Sequence, residues 1–150
     1  MGKKNLHPLV SVVILSLDNW DYTVKALDTL ALTTGVDFET ILVDNGSTNS
    51  VCEMITSYKN KNLDFKFLLN DTNIGVASGR NQGASIAKGE YILFLDNDIE
   101  IINPNWLSAI IKCLNSDSSI GAAGAVLLKP DGKIQFAGGS ITTSGNIMFC

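Results

Sequence analysis

The chain has 150 residues, 45% of them hydrophobic and 17% charged, with a formal net charge of −4. That length and composition fit one globular domain with a sizeable core and exclude a disordered chain. The acidic balance argues against a nucleic-acid binder, which carries a basic face, so an anionic ligand needs local help from Arg, backbone N–H groups or a metal.

Met1 to Pro8 is polar and lacks the apolar core of a signal peptide. Leu6 stands where a myristoylation signal needs Ser or Thr. The longest apolar stretch, Leu9 to Leu17, is broken by Ser11 and Ser16 and falls far short of the ~20 residues that span a bilayer. Cys52, Cys113 and Cys150 have no metal-ligand spacing and read as reduced thiols. The expectation is a cytoplasmic protein.

In chain order, Leu9 to Leu15 is β-branched and nearly continuous, a buried first strand. Asp18 or Asn19 can cap a following helix with Trp20, Val24, Leu27 and Leu30 or Ala31 inward, ended by Thr33-Thr34-Gly35. A second strand runs from Phe38 to Val43 and closes on Asp44-Asn45-Gly46-Ser47. Ser50 with Glu53 is a capping-box pattern ahead of Val51, Met54, Ile55 and Tyr58, one face of a second helix. Leu63 to Leu69 reads as a third strand, with Lys66 suiting a place near a sheet edge.

Asn70 to Gly75 is turn chemistry, and Val76 to Lys88 is a helix of small residues able to lie close to a neighbour. Tyr91 to Leu95 is an uninterrupted apolar run that suits a fourth strand buried on both faces and stopping at Asp96. Asn103-Pro104 offers an N-cap and a Pro at the first helical position, with Trp106, Leu107, Ile110, Ile111 and Leu114 inward. Ile120 to Leu128 reads as a small-residue strand, Pro130-Asp131-Gly132 as a turn, and Gly138-Gly139 and Ser144-Gly145-Asn146 as loops. Strands alternating with helices imply an α/β fold, a parallel sheet with helices on both faces.

Carboxylates collect at strand ends: Asp18 after the first, Asp44 at the second, Asp96 and Asp98 at the fourth. In open α/β sheets ligands bind outside the carboxyl ends of the strands, where strand order reverses. With the common order 3-2-1-4, that point lies between strands one and four. If Asp96 and Asp98 stay extended, their side chains lie on one side about 6–7 Å apart. At an effective dielectric near 20 they then repel by about 3 kcal/mol. Solvent, a proton, a basic partner or a divalent cation can offset that. Hard cations take one or two protein carboxylates and complete their shell with water and phosphate oxygens, so Asp98, at the exposed end, is the better ligand. Taken alone, Asp-Asn-Asp is as readily a loop cap. Arg80 has no acidic residue three or four positions away. It suits a phosphate or carboxylate ligand, or pairs with Asp44 or Asp96 across the crevice. There is no G-x-G-x-x-G after the first strand, no Walker A sequence, and no Ser-His or Cys-His pair; His7 stands alone before the core.

Four motifs carry a resemblance: Val10-Ser11-Val12-Val13-Ile14; Val43-Asp44-Asn45-Gly46-Ser47-Thr48; Asn73-x-Gly75-x-Ala77-x-Gly79-Arg80-Asn81-x-Gly83; and Phe94-Leu95-Asp96-Asn97-Asp98. Together they resemble the donor-binding half of a family 2 inverting glycosyltransferase with the GT-A fold. The tail Lys129-Pro130-Asp131-Gly132-Lys133 through Gly139 resembles the bacterial rhamnosyltransferase-like branch. The resemblance implies a hexosyl- or rhamnosyl-type enzyme of polysaccharide biosynthesis that takes a UDP- or dTDP-sugar. Asp44 would contact the nucleobase, Arg80 the base or diphosphate, Asp96 the ribose, and Asp98, in the family's DXD motif, Mg²⁺ or Mn²⁺. Ser16, Asp18 and Asn97 complete the implied donor site. Ser16-Leu17-Asp18 departs from the Thr-Tyr-Asn common at the first strand end, so an aromatic that packs on the base is missing.

The family's general base comes from a later, acceptor-binding half that nothing here resembles; Asp117 and Asp131 are in the wrong context. The expectation is thus a single domain over residues 1–150, truncated before the half that receives a glycan or lipid-linked acceptor. Apolar surface near Ile141 to Phe149 would then favour a homo-oligomer. Two other readings stand beside this one. One is a non-catalytic nucleotide-sugar-binding module. The other is a Mg²⁺-dependent phosphohydrolase, whose acidic pair would normally lie on the first strand.

Overall fold

The computed structural model describes residues 9–48, 65–141 and 147–149. The helix expected around Ser50, Glu53, Val51, Met54, Ile55 and Tyr58, and the loop at Ser144-Gly145-Asn146, lie outside these residues. Two compact units divide the chain, Met1–Pro104 and Asn105–Cys150.

The first unit holds strands β1 (Val10–Ser16), β2 (Phe38–Asp44), β3 (Phe65–Leu69) and β4 (Tyr91–Asp96), with helices α1 (Trp20–Leu30) and α2 (Val76–Ser85). The strands form one parallel sheet in the order β3-β2-β1-β4. Register is continuous: Val10 pairs with Phe38 on one side and Tyr91 on the other, and Ser16 with Asp44. The β1-α1-β2 and β3-α2-β4 connections run across the sheet in opposite directions, so right-handed crossovers put α1 and α2 on opposite faces. Side-chain alternation agrees. Val13, Ile41 and Val43 form the core on the α2 face, with Leu15, Leu68, Ile86 and Ala87 packed against it. Ser16, of the opposite parity, meets Thr23 of α1.

Small residues let α2 lie flat on this sheet. A Cβ at Gly83 would sit 2.5 Å from Val13 Cγ1 and 3.1 Å from Val43 Cγ2, and one at Gly79 2.5 Å from Leu15 Cδ1. At the N-terminal ends of the strands a buried carboxylate joins several elements. Glu39 accepts hydrogen bonds from Ser11 Oγ (2.6 Å) and the Lys88 N–H (2.6 Å), and its Oε2 lies 2.6 Å from Lys66 Nζ. Lys66 also donates to the Ile86 carbonyl at 3.1 Å. Burial pushes the Glu39 carboxyl up, but Lys66, Ser11 and the Lys88 N–H together hold it below its ordinary value. Lys66 does lie on β3, which is at one edge of the sheet among the described residues.

Several expectations are corrected. The fourth strand is not buried on both faces: β4 is last in the sheet among the described residues, and Ile92 and Phe94 are 47% and 44% exposed. Neither Asp18 nor Asn19 caps α1 with its side chain; both adopt left-handed backbone (φ 49° and 48°), which short polar side chains tolerate. On α1 the buried set is Trp20, Thr23, Ala26, Leu27 and Leu30, so Leu30 rather than Ala31 is inward, Val24 is only half-buried, and a threonine is in. Helix α2 ends at Ser85 rather than Lys88, because the backbone N–H groups of Lys88 and Gly89 turn to Ser11 and Glu39.

In the second unit, α3 (Trp106–Leu114) buries Leu107, Ile110 and Ile111, while Trp106 and Leu114 are half-buried. It begins after Asn105, so Asn103-Pro104 precedes the helix instead of capping it. Of the strand expected over Ile120 to Leu128, only Leu127–Leu128 is extended, forming β5; the Gly- and Ala-rich run ahead of it has little side chain to pack. β5 pairs antiparallel with β6 (Ile134–Phe136) around a turn closed by the Gly132 N–H donating to the Lys129 carbonyl. β7 (Gly139–Ile141) pairs with β8 (Ile147–Phe149), so Gly139 is strand rather than loop.

Candidate functional site

Level strand ends build the site. Leu15 pairs with Asp96 and Ser16 with Asp44, so β1, β2 and β4 stop side by side at the point where strand order reverses. Strand alternation then divides the residues after β4 between the two helices. Asp96 has the parity of Leu15 and Phe94, the α2 face, and pairs there with Arg80, whose guanidinium lies over the Phe94 ring at 5.8 Å. Asn97 turns the other way and donates its amide to Thr23 Oγ1 on α1 at 3.0 Å. Thr23 is fully buried and lies 3.2 Å from Ser16 Oγ.

The condition for two carboxylates on one extended side is not met, because the strand ends at Asp96 and Asn97-Asp98 form a turn. Repulsion at Asp96 is offset by a basic partner, Arg80. Asp98 is exposed, and among the described residues none pairs with its carboxylate.

The β1 and β2 ends are joined by a second network. Asp44, almost fully buried, accepts the Ser47 N–H at 3.1 Å and the Ser47 hydroxyl. Asp18 accepts the Thr48 N–H (2.9 Å) and hydroxyl (3.1 Å), while its own N–H donates to Ser47 Oγ (2.7 Å). These bonds hold the left-handed pair Asp18-Asn19 in place. Beside them an amide cluster shapes the loop into α2. Asn45 donates to Asn73 Oδ1 (2.8 Å) and accepts the Ile74 N–H (3.1 Å), and Asn70 and Gln82 exchange two hydrogen bonds. Gly46 (φ +89°) is held so close to Thr72 that a Cβ would sit 2.5 Å from its carbonyl carbon.

Ser16, Asp18, Asp44, Arg80, Asp96 and Asn97 are therefore each engaged within the protein. Thr23, Ser47 and Thr48 are working members of these networks to which sequence reasoning gave no role. Ser47, three residues after Asp44, carries a turn signal that could have marked it; Thr23 shows only as a polar residue at an inward helical position. No cluster of three or more His, Cys, Asp or Glu that could hold a metal occurs among the described residues. An exposed, unpaired Asp98 beside Asp96 still fits a hard cation, which needs one or two protein carboxylates when phosphate and water supply the rest.

Comparisons with known proteins bear on the family and the fold. A family model described as "Glycosyl transferase family 2" matches residues 11–144. The O-antigen biosynthesis protein RfbC of Myxococcus xanthus is 31% identical over 140 residues, 92% of this chain and 11% of that protein. Among solved structures, the mannosyltransferase PcManGT from Pyrobaculum calidifontis, in complex with GDP-Man and Mn²⁺, superposes with a TM-score of 0.74 at 20% identity, covering 85% of this chain and 37% of that one. S. aureus TarS 1-349 in complex with UDP-GlcNAc gives 0.65 at 26% identity, covering 79% and 37%. The chain thus spans between about a tenth and two-fifths of the length of these proteins. The fold is the GT-A fold, with its mostly parallel sheet and flanking helices. On the family match over most of its length, the chain belongs to glycosyl transferase family 2.

Proposed function

We propose that this chain binds a nucleoside-diphosphate sugar, a UDP- or dTDP-sugar, together with Mg²⁺ or Mn²⁺. The donor sugar then passes with inversion to a glycan or lipid-linked acceptor in the assembly of a polysaccharide. The observation that carries this reading is the pairing of an exposed, unpartnered Asp98 with an Arg80–Asp96 couple at the switch point of a family 2 sheet. The same reading keeps the chemistry in the cytoplasm, at the inner membrane face if the acceptor is lipid-linked.

Each residue then has a task its surroundings suit. Asp98 holds the cation with one carboxylate, leaving other positions to phosphate oxygens and water. When bound, the cation supplies Lewis-acid charge for the leaving nucleoside diphosphate. Arg80 offers planar donors that can turn from Asp96 to a phosphate oxygen. Asp96, more than half exposed, accepts ribose hydroxyls once Arg80 has turned. Asp44 fixes the depth of the nucleobase pocket, with its carboxylate oriented by Ser47.

Calorimetric titration with UDP- and dTDP-sugars, with and without Mn²⁺, tests this. Binding should require the cation and be abolished in Asp98→Ala. Failure of the wild type to bind, or equal binding by Asp98→Ala, would sink the reading.

A further inference from the structure

Helix α1 carries a buried hydroxyl where an apolar side chain would pack as well. Thr23 is 0% exposed and lies among Trp20, Ala26, Leu27 and Leu30 on the buried face. Threonine is a poor helix former, and a buried hydroxyl is costly unless it is hydrogen-bonded. Here it accepts the Asn97 amide at 3.0 Å and meets Ser16 Oγ at 3.2 Å. Asn97 is the residue between Asp96 and Asp98.

The backbone on either side of Asn97 is held in different ways. Before it, Asp96 is fixed by pairing with Leu15 and by Arg80. After it, Glu100 pairs with Lys25 of α1 at 2.6 Å, and the Ile101 N–H donates to Thr29 Oγ1 of α1 at 3.1 Å. Helix α1 thus grips the segment after β4 at three points, and the one nearest Asp98 is Thr23. We infer that Thr23 is a positioning residue: by anchoring Asn97, it aims the Asp98 carboxylate outward to where a divalent cation binds. This rests on the cation reading of Asp98 given above. It also gives Asn97 a different job from donor contact, since its amide points into the protein.

Partners that orient a metal ligand without touching the metal change affinity by about tenfold when removed. The experiment measures Mn²⁺ binding to the full chain in the presence of UDP by electron paramagnetic resonance, beside ¹H–¹⁵N spectra that include the Asn97 side-chain amide. In Thr23→Val, nearly the same shape without the hydroxyl, Mn²⁺ should bind about tenfold more weakly and the Asn97 amide resonances should shift toward solvent values. Thr23→Ser should restore both. Asn97→Ala should show the same loss, and the double variant no further loss, because both changes cut one link. Wild-type Mn²⁺ affinity and wild-type Asn97 resonances in Thr23→Val would overturn the inference. If the wild type binds no Mn²⁺, or Asp98→Ala binds it equally, the cation reading fails instead. The Asn97 resonances of Thr23→Val then still decide whether the hydroxyl holds the turn.

Discussion

Arg80 is engaged twice within the protein, by the Asp96 carboxylate and by the Phe94 ring. Both groups reach solvent, with the paired side chains 34% and 62% exposed, so the ion pair adds little to stability. Arg80→Ala should move the unfolding free energy by no more than about 0.5 kcal/mol. The same change should weaken binding of a nucleoside diphosphate about tenfold, the worth of one charge-assisted hydrogen bond. Urea unfolding and calorimetry on the one variant separate the two effects. The Arg80–Asp96 pair was legible in the sequence as one of the pairings open to an Arg with no acidic neighbour on its own helix. Thr23 was not, because its hydroxyl acts on Asn97, far along the chain, and only the folded sheet end brings the two together. Asp18 was legible as a carboxylate at a strand end, but its hold on Thr48 depends on how two loops meet.

At the scale of elements, α2 shows packing overriding local propensity. Gly79 and Gly83 are poor helix residues, each costing about 1 kcal/mol against alanine in an exposed helix. Replacing Gly83 by alanine should nonetheless destabilise the protein by about 1–3 kcal/mol, because the new methyl meets Val13 and Val43 in a packed core. Gly79→Ala should cost less, since its nearest neighbour is the tip of the half-buried Leu15. Chemical denaturation of the pair checks the order. The small-residue pattern announced this close approach from sequence alone. Strand β4 was read correctly in its limits and wrongly in its burial, because an apolar run reports what a strand is made of and not what lies beside it. Ile120 to Leu128 failed for the opposite reason: its apolar residues are mostly too small to favour extended pairing over an irregular path.

Across the first unit, Glu39 joins strands β1, β2 and β3 to the segment leading into β4. Its carboxyl is held below its ordinary value, so the folded state favours the ionised form more than the unfolded chain does. The stability this contributes is present above the unfolded value, near 4.5, and is lost as pH falls through the lower folded value. Urea midpoints should therefore fall as pH drops below about 4.5, and more steeply in the wild type than in Glu39→Gln. Lys66→Met, which strands the buried carboxylate, should cost about 3 kcal/mol at pH 7. Composition and the alternation of strands with helices made the α/β class legible, and the order 3-2-1-4, assumed as the common one, is the order found, whereas this ionic knot was not legible. Ser11 and Glu39 look like ordinary strand residues until two more chain segments close over them.

The sheet's register also sets an order of events in time. Val10 finds Phe38 early, but its other neighbour, Tyr91, is made only after β2, β3 and α2. Pairing so distant in sequence is slow, since the loop entropy comes due before any contact forms. The central strand therefore emerges from the ribosome long before its second side can be covered. The Asn97–Thr23 link lies just past that pairing and needs β4 in place. If Asp98 holds the cation as proposed, that binding is a property of the finished sheet alone, because Asp98 follows the strand whose pairing is made last in sequence.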